Sequence, residues 1–149
     1  MPTERSLRDV LEPSVAEAEG QWKLMLDRQP TEPGERQTVF TAVEVVLCHA
    51  AAQLVEHRKF GSSTAQGAPE PVQLLATLFR RPPSSILAKM ANLDGSRPHG
   101  AKFDRAAGIV WTADRDTFGR SYAATILAAR RCGIDPATLP DFLAPGWSA

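Results

Sequence analysis

Cysteine is nearly absent from this chain. Cys48 and Cys132 are the only two, and neither has a partner at metal-ligand or Cys-x-x-Cys spacing. That excludes a disulfide framework, a zinc finger and a thioredoxin-like redox motif, and both thiols are expected to be buried. Long apolar runs are missing as well. The longest, Val45-Val-Leu-Cys-His-Ala-Ala-Ala52, falls far short of the ~20 residues a membrane helix needs. The charged start, Met1-Pro-Thr-Glu-Arg-Ser6, does not read as a secretory leader. A soluble, cytoplasmic protein is the expectation.

Catalytic signatures are also lacking. There is no glycine-rich phosphate loop, no Gly-x-Ser-x-Gly elbow, no His-Glu-x-x-His and no His-Asn-His cluster. Of the three histidines, His49 falls in a core-like helix and reads as a core residue. His57 falls at that helix's end, where a cation suits the negative dipole end, and only His99 has a loop context that favours function. No pair of them has metal spacing, so neither a metal nor a cofactor is expected. Glu17 with Glu19 and Glu32 with Glu35 read as a solvated helix face and a loop, not as paired catalytic acids. The chain is expected to bind rather than to catalyse.

Net charge is zero, yet the charges are unevenly spread. Residues 57 to 131 carry twelve Lys or Arg against five acids, a surplus of +7. Residues 1 to 56 carry five bases against ten acids, or −5, and residues 132 to 149 add two acids and no base. Such an asymmetry is the footprint expected of a phosphate-binding face, although a merely solvated face has the same count.

What is present is helical periodicity. At 149 residues and 43% hydrophobic content, a single domain spanning residues 1–149 with one core is expected, mostly α in class. A short segment near Ser6 to Leu11 ends before Pro13. A helix over Val15 to Leu26 follows, with Trp22, Leu24 and Met25 as candidate buried residues. Pro30, Pro33 and Gly34 interrupt the chain. A longer helix from about Thr38 to Glu56 repeats Val39, Val43, Val46 and Ala50 on one face, with Phe40, Leu47, Ala51 and Leu54 beside it, which suggests a central position. Lys59 to Pro71 reads as a loop. A last helix from about Arg115 aligns Phe118, Tyr122 and Ile126 and stops at Gly133, and Asp135-Pro136 opens a short helical turn. Gly108 to Trp111 is the one stretch with strand character.

The densest signal lies between residues 72 and 101. Val72, Leu75 and Phe79 recur at helical spacing with Leu74 and Leu78 beside them, and Arg80-Arg81-Pro82-Pro83 forces a turn. Ser84 is a suitable N-cap for a second helix. On that helix Ile86, Met90 and Leu93 face inward while Ser85, Lys89 and Asn92 share the outer face. The pair reads as a helix-turn-helix-like unit whose second helix offers a short-polar and basic face to a major groove. Any surface helical hairpin has the same spacing. Directly after it comes the loop Asp94-Gly-Ser-Arg-Pro-His-Gly-Ala101.

The run from Phe79 to Asp94, preceded by Phe60-Gly61, resembles the N-terminal DNA-binding domain found ahead of HNH nuclease domains in bacterial restriction proteins. Within that group, Arg97-Pro98-His99-Gly100-Ala101 is similar to the sulfur-pocket motif in the sulfur-binding domains of McrA-type modification-dependent enzymes. The resemblance covers roughly residues 57 to 105, with flanks alike only in helical character. It implies a partner: duplex DNA in which sulfur replaces a non-bridging phosphate oxygen, in the R configuration. Sulfur keeps the charge but is larger, more polarizable and a poorer acceptor. A cup of the Pro98 ring and the Ala101 methyl would accept it, whereas a phosphate oxygen pressed there loses water and gains no donor. Gly100 would let the backbone approach, and the Arg97 stem would add apolar area under its charge. Some family members carry an aromatic residue at the Arg97 position, so its share of the wall is open. Arg58, Lys59, His99 and Lys102 are candidates for neighbouring phosphates or base edges. Alternatively, Pro98 and Gly100 only shape a turn and Ala101 is a core alanine.

The reading that follows is a recognition module of a modification-dependent restriction system in bacterial defence, with any nuclease activity supplied by a separate HNH domain or partner. Two alternatives stand beside it: a DNA-binding domain that reads unmodified sequence, and a helical interaction domain whose acidic first third docks a protein.

Overall fold

Local capping chemistry sets where the first helices begin. In the computed structural model, which describes residues 12–29, 39–60, 64–94 and 102–144, helix α1 spans Val15–Leu26 and starts at Ser14. The Ser14 hydroxyl accepts the Glu17 N–H at 3.1 Å while the Glu17 carboxylate accepts the Ser14 N–H at 3.4 Å. Glu17 thus closes a capping box and is more than a solvated acid. Trp22 and Met25 are buried, but Leu24 is 68% exposed, because it lies about 100° round the helix from Met25 and cannot share its face. Helix α2, Ala42–Ala52, repeats the device with Thr41 and Glu44. It is shorter at both ends than the periodicity predicts, and Val39 is exposed. Ten of its residues are buried, as befits a helix surrounded by others.

Two 3-10 turns, His57–Lys59 and Ala65–Gly67, lead into α3, Glu70–Phe79. It ends at Arg80, whose left-handed backbone (φ 58°, ψ 45°) lets the Arg80 N–H reach the Thr77 carbonyl and the Arg81 N–H reach that of Ala76. This is a Schellman closure with arginine where glycine is usual. Helix α4, Pro83–Asp94, begins at the proline, whose fixed φ suits a first helical position, so Ser84 lies within the first turn and is not its cap. Ile86, Met90 and Leu93 are buried as expected.

Helix α5, Lys102–Ala113, occupies the stretch with strand character. Gly108 is there for a crossing: a Cβ on it would stand 1.9 Å from the Leu93 carbonyl oxygen, so α4 and α5 meet backbone to backbone. Helix α6, Arg115–Arg131, is capped by Asp114, which accepts the Thr117 N–H at 3.1 Å, and ends before Gly133 at φ +84°. Phe118 and Tyr122 are buried and Ile126 is half-buried. Asp135 then accepts the N–H groups of Thr138 and Leu139 in the expected turn. The described residues form six α-helices and no strand around one hydrophobic cluster. Helix α2 touches α1, α3, α4 and α6, while α1 lies along α6 and α4 along α5. The Trp22 indole N–H donates to the Thr125 carbonyl at 3.0 Å and ties α1 to α6.

Glu44, fully buried on α2, organises the ends of these helices. Arg28 reaches its carboxylate at 2.8 and 3.0 Å and Arg81 at 2.6 and 3.3 Å, while the Thr41 N–H and hydroxyl donate at 3.0 and 3.1 Å. Burial by itself would raise the carboxyl pKa, but these donors overcome it and hold it below the usual range. Arg28 also donates to the Phe79 carbonyl at 3.0 Å, and Arg81 to that of Val39 at 3.3 Å. Cys48 is buried on the same helix, and burial raises its thiol pKa. Cys132 is only half-buried.

Candidate nucleic-acid interface

Helix α4 ends at Asp94 and α5 starts at Lys102, so the segment with the sulfur-pocket resemblance connects two helices that lie side by side. Arg97, Pro98, His99, Gly100 and Ala101 fall outside the described residues, and Lys102 is described by its place at the start of α5. The foundation of the segment is described in detail. Besides the Gly108 crossing, the Lys89 ammonium on α4 is ion-paired with the buried Asp104 carboxylate on α5. Lys89 and Arg81 both also lie against the Phe40 ring, 4.5 and 3.9 Å from its centre.

This arrangement corrects the helix-borne part of the interface. The Lys89 side chain is 11% exposed and already has a carboxylate partner, and Asn92 is half-buried with its side-chain oxygen enclosed and without a hydrogen bond among the described residues. Ser85 is half-buried too. The face read as outward is largely taken up by α5, because α4 has neighbours on more than one side. Helices α3 and α4 are joined by three residues, and on the second helix Ser85, Lys89 and Asn92 are each half-buried.

Asp94 itself is a meeting point. His57 Nε2 lies 2.5 Å from Asp94 Oδ2, and Arg58 approaches the same oxygen at 3.2 Å through both Nε and Nη2. His57 Nδ1 is buried with no hydrogen-bond partner among the described residues. The expected role of His57 at the end of the long helix does not hold, since α2 stops at Ala52 and His57 belongs to a separate turn. Arg58 is 70% exposed. Lys59, equally open, pairs with Glu56 at 2.6 Å. Val55, Glu56, His57, Arg58, Lys59 and Asp94 line a cavity of about 330 Å³. Residues 57–59 and the departure point of the segment are thereby brought together, which no spacing in the sequence reveals.

The basic surplus, by contrast, does not stay together. Glu44 neutralises Arg81, Glu56 neutralises Lys59, Glu12 approaches Arg120 at 3.6 Å and Glu19 approaches Arg131 at 3.4 Å. Acids of the first third thus meet bases of the later segment. The guanidinium of Arg80 is engaged by the Arg28 carbonyl, and that of Arg130 by the Ile134 carbonyl at 3.2 Å. Much of the segmental asymmetry is therefore internal complementarity. Four of the ten acids in residues 1 to 56, Glu12, Glu19, Glu44 and Glu56, are used in these pairs.

His49 is buried as expected, but its neighbours were not legible. Its ring stands 5.1 Å from Trp111 and 4.7 Å from Phe118, centre to centre, and borders a second cavity of about 270 Å³ at the far end of α5. Burial pushes its pKa down to about 4. Residues 49, 111 and 118 lie on three helices, so periodicity within any one of them carries no sign of the cluster. No protein-family model, curated protein or solved structure matches the chain.

Proposed function

We propose that this chain is a DNA-binding domain that recognises phosphorothioate-modified duplex DNA through residues 97–101, with Arg58, Lys59 and Lys102 contacting adjacent phosphates. The observation that carries the reading is the meeting of His57 and Arg58 on Asp94, the residue from which that segment departs. The largely exposed Arg58 guanidinium beside Asp94 is a cation that a backbone phosphate can approach. Discrimination belongs to the apolar cup and attraction to the cations beside it. The segment takes over the role first read for the α4 face, whose Lys89 is committed to Asp104.

In this reading the domain acts by binding, and strand cleavage belongs to an HNH domain elsewhere in the natural polypeptide or to a partner chain. The test is titration of the protein against three duplexes of one sequence, carrying oxygen, R-sulfur or S-sulfur at a single linkage, followed by fluorescence anisotropy. Preference for the R-sulfur duplex, abolished by Ala101→Asp and weakened by Pro98→Ala, is the expected result. Equal affinity for all three across several flanking sequences leaves a domain that reads unmodified DNA. Absence of duplex affinity returns the interaction-domain reading.

A further inference from the structure

The cavity beside His49 has features of a ligand site. Trp111, Phe118 and His49 pack as one cluster, His49 edge-on to Phe118 and the other pairs tilted, with 5.4 Å between the Trp111 and Phe118 centres, and they back the cavity with little ring surface exposed: 1% of Trp111 and 8% of Phe118. The imidazole is 8% exposed, and among the described residues neither of its ring nitrogens has a hydrogen bond. The ring borders an open space, where water or a ligand can supply that hydrogen bond. Neutral at pH 7, since burial pushes its pKa down to about 4, the ring offers one donor and one acceptor. Gln53 at the edge donates its amide N–H to the His49 carbonyl at 3.1 Å. Arg115 is exposed at the rim, and no acid lines the cavity.

Size narrows the ligand. About 270 Å³ exceeds the ~150 Å³ of an apolar cavity that accepts benzene and lies just below the usual range for drug-sized ligands. A single or fused pair of rings fits, with any larger substituent left outside. Gly119, on the α6 wall, has nothing within 4 Å of where a Cβ would be, so its missing side chain keeps the wall open rather than serving a close contact.

From these features we infer that the cavity is a nucleotide-binding site: a nucleobase in the cavity against the exposed edge of Phe118, its polar edge on His49, its phosphate at Arg115. It is separate from the proposed DNA-reading segment, because Trp111 lies nine residues along α5 from Lys102, roughly 14 Å on a helix. A free mononucleotide and the end of a nucleic-acid strand present the same chemistry.

The experiment is calorimetric titration of the 149-residue protein with AMP, GMP, CMP and dTMP, with the matching nucleosides, and with a short single-stranded oligonucleotide, alongside NMR of the His49 and Trp111 ring protons. Saturable 1:1 binding of at least one base is expected, with those protons shifting. Gly119→Leu, which fills the cavity from an open helix position, should weaken it at least about tenfold, and His49→Leu should weaken it too. Arg115→Gln, on the surface and harmless to folding, should weaken the nucleotide by about threefold to fivefold and leave the nucleoside unchanged. Binding of free nucleotides identifies the mononucleotide as the source, whereas oligonucleotide binding alone, still lost in Gly119→Leu, identifies a strand end. Lack of saturable binding in every arm overturns the inference. So does binding that survives both Gly119→Leu and Arg115→Gln. Duplex binding through residues 97–101 is measured separately and should be unchanged in Gly119→Leu.

Discussion

Glu44 and Asp94 are each a single carboxylate gripped by two basic side chains, yet they do different work. Glu44 is sealed from solvent, and Arg28 and Arg81 meet it from residues flanking α1 and α3. Asp94 is 25% exposed, and of its partners His57 is nearly buried while Arg58 is largely open. A buried charge cannot exchange its partner for water, so the first cluster holds the helix ends together. In the second, water or a phosphate can replace Asp94 on Arg58 at small cost, which is what a binding surface needs. His49 supplies a third case: buried like Glu44 but without a counter-charge, it stays neutral.

The largest expected effect breaks the first cluster. Glu44→Gln should cost about 3–5 kcal/mol, because two arginines lose their common counter-ion inside the protein. Denaturant midpoints measure it. A cost no greater than that of Asp94→Asn would erase the distinction between the two sites.

Acid sharpens the contrast. Burial lowers the His49 pKa from 6.5 to about 4, so the unfolded chain binds the proton more readily. Stability is unaffected by this group above pH 6.5, falls as pH drops through the window from 6.5 to 4, and loses about 3 kcal/mol by its lower end. Glu44 has the depressed pKa of a paired carboxylate, so its contribution is full above the usual carboxylate range and is lost progressively as pH falls from there to the lower folded value. In unfolding curves between pH 7 and 4, His49→Leu should flatten the slope. An unchanged slope would mean that His49 takes up its proton without leaving its aromatic setting.

Gly108→Ala drives a methyl group into the Leu93 carbonyl and should cost about 1–3 kcal/mol, by the scale for overpacked cores. If the α4–α5 crossing sets the geometry of residues 95–101, selectivity for sulfur should fall as well. Preserved stability in thermal unfolding would show that the helices part easily.

The smallest effects on stability are expected at Asp94 itself. Asp94→Asn should change stability by under about 1 kcal/mol while altering duplex binding. Arg58→Gln should be nearly neutral for folding and flatten the log-log salt dependence of duplex affinity by about 0.9, the share of a single phosphate that the protein then leaves unneutralised. An unaltered salt slope would remove Arg58 from the interface.

Much of the secondary structure was legible because its causes are local. Gly133 ends its helix as its sequence position implies, whereas the equally local caps Ser14 with Glu17 and Asp114 with Thr117 were passed over, Glu17 being read as a solvated acid. The inward set Ile86, Met90 and Leu93 follows from the helical repeat alone. The limits of α2 and the helical state of Gly108 to Trp111 were not legible, since the first depends on which residues the surrounding helices cover and the second on a crossing with Leu93. The segment with the sulfur-pocket resemblance was visible only as a motif, and its residues 97–101 lie outside those described.

By itself, then, the sequence determined a mostly helical chain with particular caps and turns, because hydrogen bonds and apolar periodicity over a few residues are written in order along it. Only the tertiary structure decided which charges remain available to a ligand. Lys89 is spent on Asp104 and Arg81 on Glu44, 37 residues away, while Arg58 is left open beside Asp94. Charge pairing acts through space, and distance in space is set by how helices pack, which no local pattern records.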